Sequence, residues 1–224
     1  MTFNIRQLDE IDPEICDEEK ALEDYQDALL KQFFYSPEGQ ARLQDDPGMC
    51  FWAAQLIDYG YGHIGVTIPR MSARDVEEIV TEIFPRKISL SSPDDADHAL
   101  PELIAFWEYL KRQYMLTNAN SILRFLRKIN PDYFKKIMND PSRFGMAKSF
   151  FMMGQEAGFD MTSEEGSHAF MHFYNAHLLA DHEEFPVSHP SLPGPPISRK
   201  AKAKNKKRRK MAKASRKRAR KKRK

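Results

Sequence analysis

The sequence predicts an all-α protein, with a single multi-helix globular domain, then a proline-rich linker and a disordered tail rich in Lys and Arg. Apolar residues recur every three or four positions through residues 1–185, as expected for helices that bury one face. Capping residues, prolines and glycines separate these stretches into short helices. Residues 199–224 contain 18 Lys or Arg and no acidic residue, so they have no apolar face to bury.

The first sixty residues predict a lead-in and three helices. Residues 1–12 are expected to be loose. Residues 13–35 place apolar side chains among many acids, which predicts an acidic surface helix through Ile15, Leu22, Tyr25, Leu29, Leu30 and Phe33. Ser36 before Pro37 opens a short helix that ends near residues 45–48, and residues 49–59 predict a buried helix.

Residues 60–65 match the letters of the G-x-G-x-x-G dinucleotide-binding turn. That turn follows a strand and opens a helix whose N-terminus meets the pyrophosphate. Here a helical segment precedes the glycines, and Val-Thr-Ile-Pro follows them. We therefore expect a helix C-cap and a flexible connector, for which the positive φ of glycine suffices.

A capping box that begins at Ser72 predicts the start of the next helix. Apolar residues continue the helical pattern until Pro85, which is expected to stop it. Residues 86–98 predict a loop, in which residues 88–90 are a candidate short strand without an evident partner.

The middle of the chain predicts three further helices. Residues 100–116 and 118–129 each carry apolar side chains along one side. Asn130 before Pro131 then caps a short helix that ends at about Met138.

Asp140 and Pro141 open a helix that is predicted to end at Ala157, with Gly158 as the residue after its C-cap. Its methionines are interpreted as core filling and not as an exposed binding groove, because Met adapts to irregular gaps. These residues are Met146, Met152 and Met153.

The last predicted helix, residues 163–181, contains two candidate metal ligands. A capping box at residues 162–165 marks its start. His168 and His172 lie one turn apart, a spacing at which two imidazoles can share a metal ion. The H-E-x-x-H glutamate is missing and a zinc site needs three or four ligands, so ordinary packing or surface roles are the alternative.

Residues 111–148 form a basic region within an otherwise acidic domain. Nine Lys and Arg residues occur here with only Asp132 and Asp140 to balance them. The interpretation we prefer is a solvated face whose cations pair with acids elsewhere in the fold. The other interpretation is a second phosphate-binding patch.

The cysteines and the start of the chain indicate the compartment. Cys16 and Cys50 stand alone, with neither the spacing of a disulfide framework nor that of a thiolate zinc site. The first ten residues lack the pattern of a signal peptide, and no apolar run is long enough to span a membrane. We expect a cytoplasmic protein that needs no cofactor.

The composition changes after residue 185. Five prolines within residues 186–198 predict an extended linker. Of the 35 basic residues, 18 lie in the tail, which leaves 17 against 32 acidic residues in residues 1–198, so the body carries −15 and the tail +18. A polyanion is the natural partner of such a tail. The residues expected to bind nucleic-acid phosphates are Arg199, Lys200, Lys206, Lys207, Arg208, Arg209, Lys210, Lys213, Arg216, Lys217, Arg218, Arg220, Lys221, Lys222, Arg223 and Lys224.

Several blocks from about Trp52 onward carry a family resemblance. They are FPRK at residues 84–87, FGMAKSF at 144–150, GFDMTSEEG at 158–166 and RKMAKASR at 209–216. In these blocks the chain resembles an uncharacterised bacterial family, found mainly in cyanobacteria, of helical proteins with a basic C-terminal tail. The resemblance implies a bacterial, cytoplasmic setting, disfavours a nuclear-import role for the tail and transfers no catalytic residue.

Three functions are compatible with the sequence. The leading one is a non-enzymatic nucleic-acid-associated protein whose tail binds RNA or DNA phosphates by charge, without reading sequence. The second is a protein-interaction module whose tail is solvated or docks on its own acidic body. The third, a metalloprotein that uses His168 and His172, lacks a recognisable set of nucleophile, base and orienting group.

Overall fold

The structure, a computed structural model, describes residues 3–11, 17–46 and 48–179. Within these ranges the regular structure is helical with no strand, which confirms the predicted all-α class. The predicted linker and tail, residues 186–224, lie outside the described residues. The α-helices are α1 Gln7–Glu10, α2 Glu18–Phe34, α3 Pro37–Leu43, α4 Phe51–Asp58, α5 Ala73–Glu78, α6 Phe84–Lys87, α7 Ala99–Tyr114, α8 Ala119–Leu126, α9 Pro131–Met138, α10 Met146–Glu156 and α11 Glu164–Leu179.

No helix in the described part of the chain is both long and apolar enough to cross a membrane.

Residues 3–11 are packed against the domain, so the prediction of a loose lead-in is wrong for them. Leu8 in α1 is buried. The ring of Phe3 lies 5.2 Å from that of Tyr25, and the Tyr25 hydroxyl donates to the carbonyl of Ile5 at 3.1 Å. A four-residue helix is too short to show a periodic pattern, so α1 cannot be recognised from the order of its residues.

Local capping signals correctly predicted the starts of three helices. Helix α2, predicted from residue 13, instead begins at Glu18 after Asp17, which accepts from two backbone N–H groups. Ser36 caps α3 as predicted, through a 3.1 Å bond from the N–H of Gly39. Asn130 caps α9 at the predicted position, and Ser72 forms the predicted capping box with Asp75 at the start of α5. These devices need only neighbours in sequence, which is why sequence predicts them.

The glycine-rich segment forms a π-helical turn, Tyr59–Ile64, that continues directly from α4. A helix therefore precedes these glycines, and the dinucleotide-binding turn is excluded. Gly65 ends the turn with φ 82°, as expected of a capping glycine. The flexible connector is wrong, because Tyr61 and Ile64 are buried in the core.

A second π-helical turn, Ile79–Ile83, joins α5 to α6. Its register lets the N–H of Phe84 donate to the carbonyl of Ile79, five residues earlier. Pro85, which has no N–H to donate, therefore lies in the first turn of α6 without breaking the helical path. The predicted stop at Pro85 is wrong.

The predicted loop, residues 86–98, is helical at both ends, and residues 86–87 already belong to α6. A 3₁₀ helix, Pro93–His98, leads into α7. Residues 88–90 have no regular structure, so the candidate strand is wrong.

Helix α7 is the central helix of the domain and packs against α3, α4 and α8. Most of its first three turns is buried, including Phe106 and Trp107. The fully buried side chain of Glu102 reaches the start of α4, where Oε1 accepts from the N–H of Ala53 at 2.7 Å. The residue before α4, Cys50, has φ 84° and gives no side-chain cap, so Glu102 supplies one from another helix.

Burial shifts the titration of this carboxyl. Loss of hydration, with a smaller contribution from the charge of Asp46, raises the pKa of Glu102 to about 8. The side chain is therefore largely protonated at neutral pH, and a neutral acid avoids the cost of an unpaired buried charge.

Helix α10 begins later than predicted. Pro141–Arg143 form a separate 3₁₀ turn, and α10 starts at Met146 after Gly145. The N–H of Gly145 donates to the carbonyl oxygen of Arg86 at 2.9 Å, and a Cβ at this glycine would lie 2.8 Å from the same oxygen. This contact with a distant segment breaks the helix, and no local signal marks it. Gly158 has φ 86° after α10, as predicted.

Helices α10 and α11 pack through a cluster of aromatic rings. The rings of Phe150 and Phe170 lie 4.7 Å apart, and Phe159 lies 5.4 Å from Phe170. The core-filling interpretation of the methionines fails for Met146, which is 75% exposed, while Met152 and Met153 are half-buried.

A buried lysine connects α10 to the main core. The Lys148 ammonium donates to the carbonyls of Pro85 in α6, at 3.1 Å, and of Met138 at the end of α9, at 2.9 Å. It also lies 3.9 Å from the centre of the Phe144 ring. Burial lowers the pKa of Lys148 to about 8.

The raised pKa of Glu102 predicts how stability varies with pH. The folded state keeps a proton that the unfolded state loses above its ordinary pKa of 4.5, so stability falls as pH rises from 4.5 to about 8. The slope reaches about 1.4 kcal/mol per pH unit. Glu102→Gln, which has no proton to lose, should flatten this slope in urea unfolding at pH 5, 6.5 and 8. Exposed Glu77→Gln is the control, and equal slopes in wild type and Glu102→Gln would contradict the assignment.

The lowered pKa of Lys148 predicts that stability increases with pH at higher pH, the opposite of the effect of Glu102. Its folded pKa of about 8 lies below the ordinary 10.5, so the unfolded state binds more protons between these values and stability rises with pH. Lys148→Met should remove up to about 1.4 kcal/mol per pH unit of this rise in unfolding measured at pH 8, 8.75 and 9.5. Exposed Lys136→Met should leave it intact. A slope unchanged by Lys148→Met would show that the ammonium is not buried.

Candidate nucleic-acid interface

Five of the nine basic residues in the region 111–148 have partners within the fold. Arg112 binds Glu38 through two hydrogen bonds of 2.7 and 2.9 Å. The other ion pairs are Arg127 with Glu108, Lys135 with Asp94 and Asp97, and Arg143 with Asp140. The fifth residue is the buried Lys148, which binds carbonyl groups. The interpretation as solvated cations that pair with acids elsewhere in the fold is confirmed for Arg112, Arg127 and Lys135. It is wrong for Lys148, which is buried and binds carbonyls, and Arg143 pairs with an acid of the same region.

The remaining four basic residues are exposed and have no acidic partner within 4.0 Å among the described residues. They are Lys111, Arg124, Lys128 and Lys136. Lys111, Arg124 and Lys128 line one groove between α7 and α8, and Lys136 does not. The structure therefore gathers three uncompensated positive charges in one place.

We call this surface the basic groove. It has a volume of about 940 Å³ and is lined by Glu108, Lys111, Arg112, Met115, Asn120, Leu123, Arg124, Arg127 and Lys128. In α7 these positions follow the spacing i, i+3, i+4, i+7, and in α8 the same spacing recurs from Asn120. Each helix thus turns one face toward the groove.

The connection between α7 and α8 fixes how these faces meet. Met115 ends α7 in the left-handed conformation with φ 49°, and its side chain is 79% exposed. Asn118 then donates from Nδ2 to the carbonyls of Ile68 at 3.1 Å and Met71 at 2.7 Å. This side chain holds the turn against another part of the core, so the groove is built on a fixed backbone.

The paired arginines hold fixed positions in the basic groove. The hydrogen bonds from Arg112 lower the pKa of the Glu38 carboxyl, so this pair stays charged throughout the neutral range. Arg127 donates one hydrogen bond to Oε1 of Glu108. Both guanidinium groups therefore lie beside the three uncompensated cations without adding net charge.

Basic side chains near helix C-termini also have a structural role. Lys111 and Arg112 lie in the last turn of α7, and Arg124 lies in the last turn of α8. Cations there offset the partial negative charge of the helix end by a few tenths of a kcal/mol to about 1 kcal/mol each. This stabilising role explains why α7 and α8 each have basic residues in their last turn. It does not explain why the basic residues of both helices line the same groove.

The candidate metal ligands His168 and His172 are exposed on α11. Among the described residues, no group of three or more His, Cys, Asp or Glu side chains lies close enough to hold a metal ion. The start of α11 also differs slightly from its prediction, since Ser163, and not Thr162, accepts the capping bond, from the N–H of Gly166 at 3.0 Å.

The thiol of Cys50 is free and half-buried. Burial, with smaller contributions from Glu102 and Asp46, raises the pKa of the Cys50 thiol to about 12. The thiolate is therefore scarce at neutral pH, which does not suit a nucleophile. Cys16 lies outside the described residues.

The phosphate-binding residues predicted in the tail, residues 199–224, lie outside the described residues. The composition of residues 111–148 reveals a basic region, but it does not predict that some of these residues line one groove. The missed signal is the helical spacing of Glu108, Lys111, Arg112 and Met115, which places these residues on one face of α7.

The chain was also compared with known proteins. No family model, no curated protein and no solved structure matches it.

Proposed function

We propose that the protein binds RNA through its phosphates, with residues 199–224 supplying most of the charge and the basic groove supplying a fixed contact on the folded domain. The observation that carries this proposal is the convergence on one groove of Lys111, Arg124 and Lys128, none of which has an acidic partner within 4.0 Å in the described part of the chain. The same chain also carries a separate segment of charge +18.

The two parts have different physical roles. Lys and Arg side chains that neutralise phosphates release condensed counterions, which gives affinity with little sequence preference. The tail has no aromatic residue with which to stack on bases, so its contribution is charge alone. The basic groove holds its cations on two packed helices, so it constrains where a phosphate backbone lies on the domain.

The acidic face of α2 supports a second candidate, a protein-interaction module whose tail docks on its own body. Six carboxylates are exposed at the start and along this helix, with Lys20 and Lys31 as its basic residues. They are Asp17, Glu18, Glu19, Glu23, Asp24 and Asp27. This face competes with RNA for the tail, so self-docking weakens RNA binding by the full chain.

Truncation of the tail tests whether residues 199–224 supply most of the affinity for RNA. If about six to ten cations contact phosphates, affinity for a structured RNA should fall about a thousandfold to a hundred-thousandfold between 50 and 200 mM salt. Removing residues 199–224 should abolish most of this affinity and salt dependence, measured by fluorescence anisotropy, while the helical circular-dichroism signal of the domain persists. Undiminished affinity at 150 mM salt would contradict a role for the tail. Tighter RNA binding by the full-length protein after the exposed carboxylates of α2 are replaced by amides would favour the self-docking alternative.

Charge reversal tests the basic groove in the full-length protein. The triple variant Lys111→Glu, Arg124→Glu, Lys128→Glu should weaken the salt dependence of binding. The negative slope of log affinity against log salt should become smaller in magnitude by about two to three, because about three phosphate contacts are lost. The matched control reverses Arg74, Lys87 and Lys136, three exposed cations outside the groove, and so changes the net charge equally. Identical salt slopes for the two triple variants would remove the basic groove from the interface. Equal binding of duplex DNA would extend the proposal from RNA to nucleic acid in general.

A further inference from the structure

A second groove adjoins the basic groove and shares one residue with it. It has a volume of about 500 Å³ and is lined by Lys31, Gln32, Tyr35, Ser36, Pro37, Tyr109, Arg112 and Gln113. Arg112 lines both grooves, so the two surfaces meet at its guanidinium. We call this second surface the tyrosine groove.

The tyrosine groove presents an aromatic side chain to solvent. Tyr35 is 70% exposed, which is unusual for a large aromatic residue in a domain that buries Tyr25 and Phe33 of the same helix completely. Its ring contacts that of Phe34 in an edge-on arrangement at 5.2 Å. Folding of the domain therefore leaves most of the Tyr35 side chain available to a ligand.

The backbone that carries Tyr35 is held on both sides. Tyr35 is the C-cap of α2, and its N–H donates to the carbonyl of Lys31 at 3.3 Å. The buried Ser36 donates from its hydroxyl to the carbonyl of Phe33 at 2.6 Å and accepts from the N–H of Gly39 in α3 at 3.1 Å. The exposed ring thus projects from a fixed corner between two helices.

Positive charge flanks this ring. Lys31 lines the tyrosine groove and has no acidic partner within 4.0 Å among the described residues. Arg112 lies where the grooves join, 5.9 Å from the centre of the Tyr109 ring, and Glu38 fixes its guanidinium and compensates its charge. Beyond it, the basic groove contributes its three uncompensated cations.

An exposed aromatic ring between cations suits a nucleic-acid strand whose bases are unpaired. Single-strand binding surfaces combine a positive groove that follows the backbone with aromatic rings on which bases stack. In a duplex, base faces are already stacked on one another and offer no face to a protein side chain. The basic side chains can therefore bind the phosphates of paired or unpaired RNA, whereas Tyr35 can stack only on an unpaired base.

We propose that the basic groove and the tyrosine groove together bind an unpaired segment of RNA, with Tyr35 stacking on one base and Lys31, Arg112 and the basic-groove cations contacting the flanking phosphates. This inference rests on the proposed RNA-binding function and names the form of RNA that the folded domain accepts.

The test compares one unpaired and one paired RNA on the full-length protein. The probes are a 12-nucleotide RNA that forms no structure and a 12-base-pair duplex that contains it, each with a 2-aminopurine base. The variants are Tyr35→Ala, Tyr35→Trp and, as the matched control, Tyr133→Ala, which removes a half-exposed tyrosine outside both grooves. Circular dichroism checks the fold of each variant.

Loss of one stacked base predicts that Tyr35→Ala weakens binding of the unpaired RNA by about 5- to 150-fold. Binding of the duplex should be unchanged, and Tyr35→Trp should keep the wild-type affinity. Stacking should also quench the 2-aminopurine fluorescence of the unpaired probe, and Tyr35→Ala should lose this quenching. The quenching reports on stacking even where the tail supplies most of the affinity.

Two results would overturn the inference in distinguishable ways. Equal effects of Tyr35→Ala and Tyr133→Ala on the unpaired probe, with both RNAs still bound, would remove Tyr35 from the interface and leave the proposed function intact. Binding of neither RNA by the wild-type protein would overturn the proposed function and the inference together.

Discussion

The buried carboxyl of Glu102 is the constraint on which the arrangement of the domain depends. Helix α4 starts after a left-handed Cys50 that offers no side-chain cap, so its first N–H groups need a partner from elsewhere. Glu102 reaches them from the first turn of α7. This bond fixes α7 against α4 and requires a carboxyl that stays protonated when buried, which its pKa of about 8 provides.

The same helix also carries part of the proposed interface. The first three turns of α7 fill the core with Leu103, Phe106, Trp107 and Leu110. Its last turn leaves the core and exposes Lys111 and Arg112 beside α8. The orientation of the basic groove therefore follows from how α7 is packed at its other end, which places rigid positive charge on a domain whose sequence is acidic as a whole.

A structural feature could be predicted from the sequence when the interactions that produce it are between residues close together in the chain. Asn130 and the Ser72 capping box act on residues within one turn, and both were predicted correctly. Pro85 was misjudged because a π-helical turn, stabilised by packing, removes the need for its missing N–H. Gly145 was missed as a helix break because its partner, Arg86, lies in a distant segment.

The basic groove illustrates the same limit. Sequence showed nine cations in residues 111–148, but not which of them are compensated. Arg112 pairs with Glu38, 74 positions earlier in the chain, whereas Lys111 beside it has no acidic partner in the described part of the fold. Only the tertiary arrangement separates the two. The sequence also did not predict the exposure of Tyr35, because other aromatic residues of the preceding helix are buried.

Photo-crosslinking of the full-length protein to a uniformly 4-thiouridine-labelled RNA, read by mass spectrometry of the peptides, tests the central claim most directly. The claim is that the folded domain contacts RNA at the joined grooves and does not merely carry a charged tail. It predicts crosslinked peptides that contain Tyr35 and residues 111–128, in addition to peptides from residues 199–224. Crosslinks confined to residues 199–224, with none in the domain, would contradict it.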